Sequence, residues 1–70
     1  MTQKAFATLA AGDRVTLSGF PGVVESAGYN SIGRWFVSIG WDGVPVESLR
    51  KHSYISSEYV KDVRRLRRVK

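Results

Sequence analysis

Apolar and polar side chains alternate at period two in three stretches of the chain, and each such stretch predicts a half-buried strand. In Arg14-Val15-Thr16-Leu17-Ser18, Val15 and Leu17 share the inward face, and Val23-Val24-Glu25-Ser26 is a shorter β-branched run. Arg34-Trp35-Phe36-Val37-Ser38-Ile39-Gly40-Trp41 carries the strongest signal, with Trp35, Val37, Ile39 and Trp41 on one face and Phe36, Ser38 and Gly40 on the other. Four large groups on one side mark a central core strand. Gly40 within it predicts a bulge or a sharp bend.

The connections are read from turn residues. Gly12-Asp13 opens the first strand, and Phe20-Pro21-Gly22 predicts a type II turn, because Pro fixes φ and Gly supplies a positive φ. Ala27 to Gly33 has the composition of a mobile connecting loop, and Asp42-Gly43 that of a type I′ hairpin turn. Val44-Pro45-Val46 reads as an extended edge segment and Glu47 to His52 as a polar loop. Near the C-terminus, Tyr59, Val63, Leu66 and Val69 fall on one helical stripe that Ser56 to Val60 would cap, with Glu58 and Asp62 at its favourable end. The same residues also suit a last strand. The expected organisation is an N-terminal lead-in over 1–11 that docks Phe6 or Leu9, a barrel domain over 12–66 and a basic tail over 67–70.

Short strands separated by Gly-rich turns about every ten residues predict an all-β fold, a small partly open barrel of about five short antiparallel strands. The order of Gly12-Asp13-Arg14-Val15, Gly22-Val23-Val24-Glu25 and the Trp35 to Gly43 hairpin resembles the Src-homology-3-like (SH3-like) small-barrel superfamily, including Tudor-type and KOW-type modules. Ile55-Ser56-Ser57-Glu58-Tyr59-Val60 is similar to the Ile-Pro-Ser-Asn-Tyr-Val motif by which signalling SH3 domains enter their last strand through a 3₁₀ turn. Tyr59 matches that motif's peptide-contacting tyrosine and equally suits a core aromatic. The Ala-Leu-Tyr-Asp-Tyr segment and the adjacent Trp pair of the signalling domains are missing, so proline-peptide binding is not carried over. Gly12 to Val15 also resembles a stretch of the type II dihydrofolate reductases, but their Val-Gln-Ile-Tyr segment has become Val37-Ser38-Ile39-Gly40, without its Gln and Tyr.

Composition narrows the chemistry. A chain of 70 residues, 43% of them hydrophobic, builds one thin core; at this size about 60% of the unfolded surface is buried, which leaves room for a homodimer. With no cysteine and one histidine, thiolate metal sites, disulfides and thiol nucleophiles are excluded, and no metal or cofactor is expected. No apolar run approaches the roughly 20 residues of a spanning helix, which together with the missing cysteine fits a cytoplasmic protein. An amphipathic membrane-surface helix is set aside because the same stripe would serve core packing. No phosphate loop, nucleophile elbow or His-Glu-x-x-His segment is present, and Asp42 with Glu47 is turn chemistry before it is a carboxylate pair. The expectation is a protein without catalytic residues.

Charge supplies the positive signal. Residues 1–49 hold three basic and four acidic side chains, and residues 50–70 hold eight basic and two acidic. A cationic third on a nearly neutral body suits a polyanion, and Arg forks grip phosphate oxygens bidentately. The candidate nucleic-acid-binding residues are Arg34, Phe36, Arg50, Lys51, Tyr54, Lys61, Arg64, Arg65, Arg67 and Arg68, with Tyr29 beside them. Duplex DNA is favoured over RNA because the aromatic set is modest. The alternative is a protein-interaction or inhibitory module that docks on a larger partner through its sheet face or edge.

Overall fold

A computed structural model describes residues 1–45, 48 and 51–69. Among these residues five antiparallel strands form one open sheet in the order β4-β3-β2-β1-β5, the arrangement of a small partly open barrel. The strands are β1 (Arg14–Leu17), β2 (Phe20–Tyr29), β3 (Trp35–Trp41), β4 (His52–Ser56) and β5 (Leu66–Arg68), with helices α1 (Gln3–Phe6) and α2 (Val60–Arg65). Among the described residues no helix is long and apolar enough to cross a membrane.

The inward parity is as the alternation predicts. Val15, Val24, Val37, Ile39, Trp41 and Ile55 are buried in one core, with Trp35 and Leu17 packed against it. Phe6 and Leu9 are fully buried in the same core, so both large apolar groups of the N-terminal segment dock. Thr2 caps α1 by accepting from the Ala5 amide at 3.1 Å. The Met1 ammonium then donates to the carbonyls of Val63, Arg64 and Leu66 at 2.9, 3.1 and 2.7 Å. A positive group thus satisfies carbonyls left open at the C-terminal end of α2, where the helix dipole favours it.

Several turns differ from the sequence expectation. The β1–β2 reversal is the two-residue turn Ser18-Gly19, with φ of 50° and 87°, and Phe20-Pro21-Gly22 lies inside β2. Leu17 and Phe20 close this hairpin, so Pro21 at the next, non-hydrogen-bonded position needs no N–H toward β1. Ala27-Gly28-Tyr29 is strand as well, paired with Val37, Phe36 and Trp35. The strong β3 strand imposes pairing on residues of weak β propensity. The bulge sits at Glu25 in β2, where the register shifts between Val24 and Ser26. In the turn after β3, Gly43 takes φ of 76° while Asp42 does not take a positive φ, so the geometry is not type I′. Asp42 instead accepts from Arg14 Nη2 at 2.6 Å. Val44 and Pro45 are not strand, Val46 and Glu47 lie outside the described residues, and His52 begins β4.

The C-terminal third is both helix and strand. α2 ends at Arg65 and β5 pairs with β1, Leu66 opposite Leu17 and Arg68 opposite Val15. Val63 and Leu66 are buried, whereas Tyr59 and Val69 are exposed, so only the middle two members of the helical stripe reach the core. Tyr59 is the N-cap residue and supplies no side-chain cap. The expected serine cap fails because Ser56 is buried at the end of β4, where it donates to Glu58 Oε1 at 3.3 Å.

Two glycines make close approaches of unequal cost. A Cβ on Gly22 would lie 2.7 Å from Trp41 Cε3 and 2.9 Å from the Gly40 carbonyl, both held by the core and the sheet. A Cβ on Gly40 would meet the Glu25 carboxylate at 2.9 Å, the free end of a flexible side chain. That carboxylate reaches across Gly40 to His52 Nδ1 at 2.7 Å, since Glu25 follows buried Val24 and so faces outward. Gly22→Ala is therefore expected to cost about 1–3 kcal/mol through overpacking. Gly40→Ala should cost under about 1 kcal/mol, the value of one exposed hydrogen-bonded contact. Urea midpoints at unchanged slope measure both, and equal costs would contradict this geometry.

Candidate nucleic-acid interface

Helix α2 and strand β5 carry the basic cluster, and each element sorts it by face. With Val63 fixed against the core, the helical period turns Lys61, Arg64 and Arg65 to solvent, and all three are exposed. On β5 the period of two sets Arg67 and Arg68 on opposite faces. Leu66 is buried opposite Leu17, so Arg67 points outward beside Thr16. Arg68 turns to the rim, where Nη2 donates to Thr8 Oγ1 at 3.1 Å and to Asp13 Oδ2 at 3.4 Å. The four arginines therefore do not form one clamp. Lys61, Arg64 and Arg65 share the exposed face of α2, Arg67 lies exposed on the adjoining β5, and Arg68 braces the N-terminal segment.

Ion pairing separates these cations from the others. Arg14 pairs with Asp42 and Arg68 with Asp13, and His52 Nδ1 is in hydrogen-bond contact with Glu25. Among the described residues no ion pair reaches Lys61, Arg64, Arg65, Arg67, Arg34 or Lys51. Lys51 is half-buried just before β4, and Arg50 lies outside the described residues.

A second feature lies on the outer face of β3 and β4. Phe36 and Tyr54 stack with ring centroids 5.2 Å apart and an interplanar angle of 22°, and Tyr59 meets Tyr54 edge-on at 6.4 Å. Phe36 is covered by Tyr54 on this face, not by the N-terminal segment, whose apolar groups lie in the core. Its ring passes over Gly28, where a Cβ would lie 3.6 Å from it. Tyr29 packs apart from these rings, edge-on against Trp35 at 5.0 Å.

Asn30 fixes the end of this ledge. Its Oδ1 accepts from the amides of Ile32 and Arg34 at 3.1 and 2.9 Å, and its Nδ2 donates to the Tyr54 hydroxyl at 3.1 Å. One side chain thus shapes the 30–34 loop, holds the segment bearing exposed Arg34, and orients Tyr54. Sequence reasoning nominated neither Asn30 nor Tyr59 for this surface. Asn30 sat in an apparent loop, and the motif left Tyr59 open between surface and core.

Among the described residues no group of three or more His, Asp or Glu side chains gathers as a metal site. At the far end of the sheet, a shallow apolar hollow lies between Leu17, Phe20, Trp41 and Val44, with Phe20 exposed at its rim. No family model, curated protein or solved structure matches the chain.

Proposed function

We propose that this chain is a small noncatalytic nucleic-acid-binding module of the SH3-like barrel type, with DNA as its preferred ligand. The observation that carries the reading is the set of exposed cations Lys61, Arg64 and Arg65 on α2 and Arg67 on β5, none of them ion-paired among the described residues. Strand order β4-β3-β2-β1-β5, with one helical element ahead of the last strand, supports the barrel assignment. Cations held on a helix face and an adjoining strand track a phosphate backbone without reading sequence.

Fluorescence-anisotropy titration of labelled duplex DNA, single-stranded DNA and RNA tests the reading at about 50 and 200 mM salt. On duplex DNA, four engaged cations give a slope of roughly −3 to −4 in log affinity against log salt. Failure to bind any of the three at the lower salt sinks the proposal. The alternative, a protein-interaction module, draws on exposed Phe20 beside the apolar hollow. It would show as partner capture that survives nuclease and is lost in Phe20→Ser.

A further inference from the structure

We infer that the nucleic acid is taken as a single strand, with bases stacked on Tyr54 and Tyr59; this rests on the nucleic-acid reading above. The sequence favoured a duplex because its aromatics were few, and the fold removes that ground by gathering three of them on one ledge. Tyr54 and Tyr59 are 48% and 47% exposed and lie 74° apart in plane, so together they form an open corner. Such a corner takes a flat ring, which stacks on one tyrosine and meets the other edge-on. Duplex bases are already stacked on each other and offer only their edges to a protein. An unpaired base has a free π face.

Tyr54 is also held ready. Phe36 backs one face of its ring and Asn30 holds its hydroxyl, so little rotamer freedom remains to be lost on stacking. Charge on both sides of the ledge suits a backbone running across it. Arg34 stands on the loop that Asn30 shapes, and Lys61 follows Tyr59 by two residues at the start of the exposed α2 face. Glu58 and Asp62 flank Tyr59, and Glu58 accepts from Ser56 Oγ. Their charge directs phosphates away from the tyrosine itself and toward Arg34 and the Lys61, Arg64 and Arg65 face, leaving the corner to a neutral base.

The test compares a labelled oligothymidylate with a duplex of equal length, using the intact chain, Tyr54→Ala, Tyr59→Ala and Tyr54→Phe. The expected result is tighter binding of the single strand, reduced about tenfold by each alanine change. Tyr54→Phe, which keeps the ring and loses only the Asn30 bond, should retain most of the affinity. Thermal melts monitored by circular dichroism confirm that each variant is folded. Equal or tighter duplex binding, or alanine variants that bind the single strand unchanged while folded, overturns the single-strand inference and leaves the nucleic-acid reading standing. No binding to either oligonucleotide overturns both.

Discussion

Phe6→Ala is expected to lower the unfolding free energy by about 3–5 kcal/mol, the usual cost of emptying a buried phenylalanine site. A 70-residue domain has roughly 4–10 kcal/mol in total, so this one change removes a large share of it. The reason lies in the geometry. Phe6 is fully buried in the core although it comes from a four-residue helix that could not persist alone. The helix is held by Phe6, by Leu9 and by the Met1 ammonium on the carbonyls at the end of α2. Urea denaturation followed by tryptophan fluorescence measures the effect. A loss below about 1 kcal/mol would mean that residues 1–11 are only loosely attached, as their small-residue composition suggests.

Neutralising Arg64, Arg65 and Arg67 together to glutamine should weaken binding of duplex DNA by roughly a hundredfold, at about 1 kcal/mol for each exposed charge-assisted contact. The salt dependence should flatten as well, the slope falling in magnitude by roughly two to three. These substitutions leave the core intact, since all three side chains are exposed and Val63 and Leu66 are untouched. Ending the chain at Asp62 would be a poor substitute, because it removes β5 and two buried apolar groups along with the arginines. Arg68→Gln is the internal control. Its guanidinium is engaged by Asp13 and Thr8, so this change should reduce stability slightly and leave the salt slope unchanged. A triple variant that binds with the parent affinity and slope would remove these cations from the mechanism.

What the sequence made legible follows from the physics of each pattern. Strand parity in β1 and β3 could be read because burial on one face of a sheet forces a period of two, and Val15, Leu17, Val37 and Ile39 obey it. Turn placement was less accessible. Phe20-Pro21-Gly22 has every local mark of a reversal, but the reversal falls three residues earlier because Ser18 and Gly19 both accept positive φ and Leu17 then pairs with Phe20. Gly40 predicts a bulge or a sharp bend; the bulge lies on the neighbouring strand at Glu25, whose carboxylate passes over Gly40. The C-terminal ambiguity had a similar origin. Val63 and Leu66 satisfy a helical stripe and are both buried, yet one lies on a helix and the other on a strand. The basic residues of the candidate surface were evident by type, and their sorting was not. Whether an arginine faces solvent or Asp13 depends on the register of three residues against β1, which no local pattern encodes.

The short β5 strand has a kinetic meaning. β1, β2 and β3 pair with sequence neighbours through short turns and can assemble early, whereas β5 must find β1 across most of the chain. The Met1 to Leu66 hydrogen bond spans 65 positions. Contacts of such separation raise the contact order and place the folding rate toward the millisecond-to-second end of the range for small domains. The segment that makes this long-range pairing is the one that carries Arg64, Arg65 and Arg67. An anion bound across α2 and β5 would hold that segment closed, slow unfolding and raise the melting temperature with the logarithm of the anion concentration above its Kd.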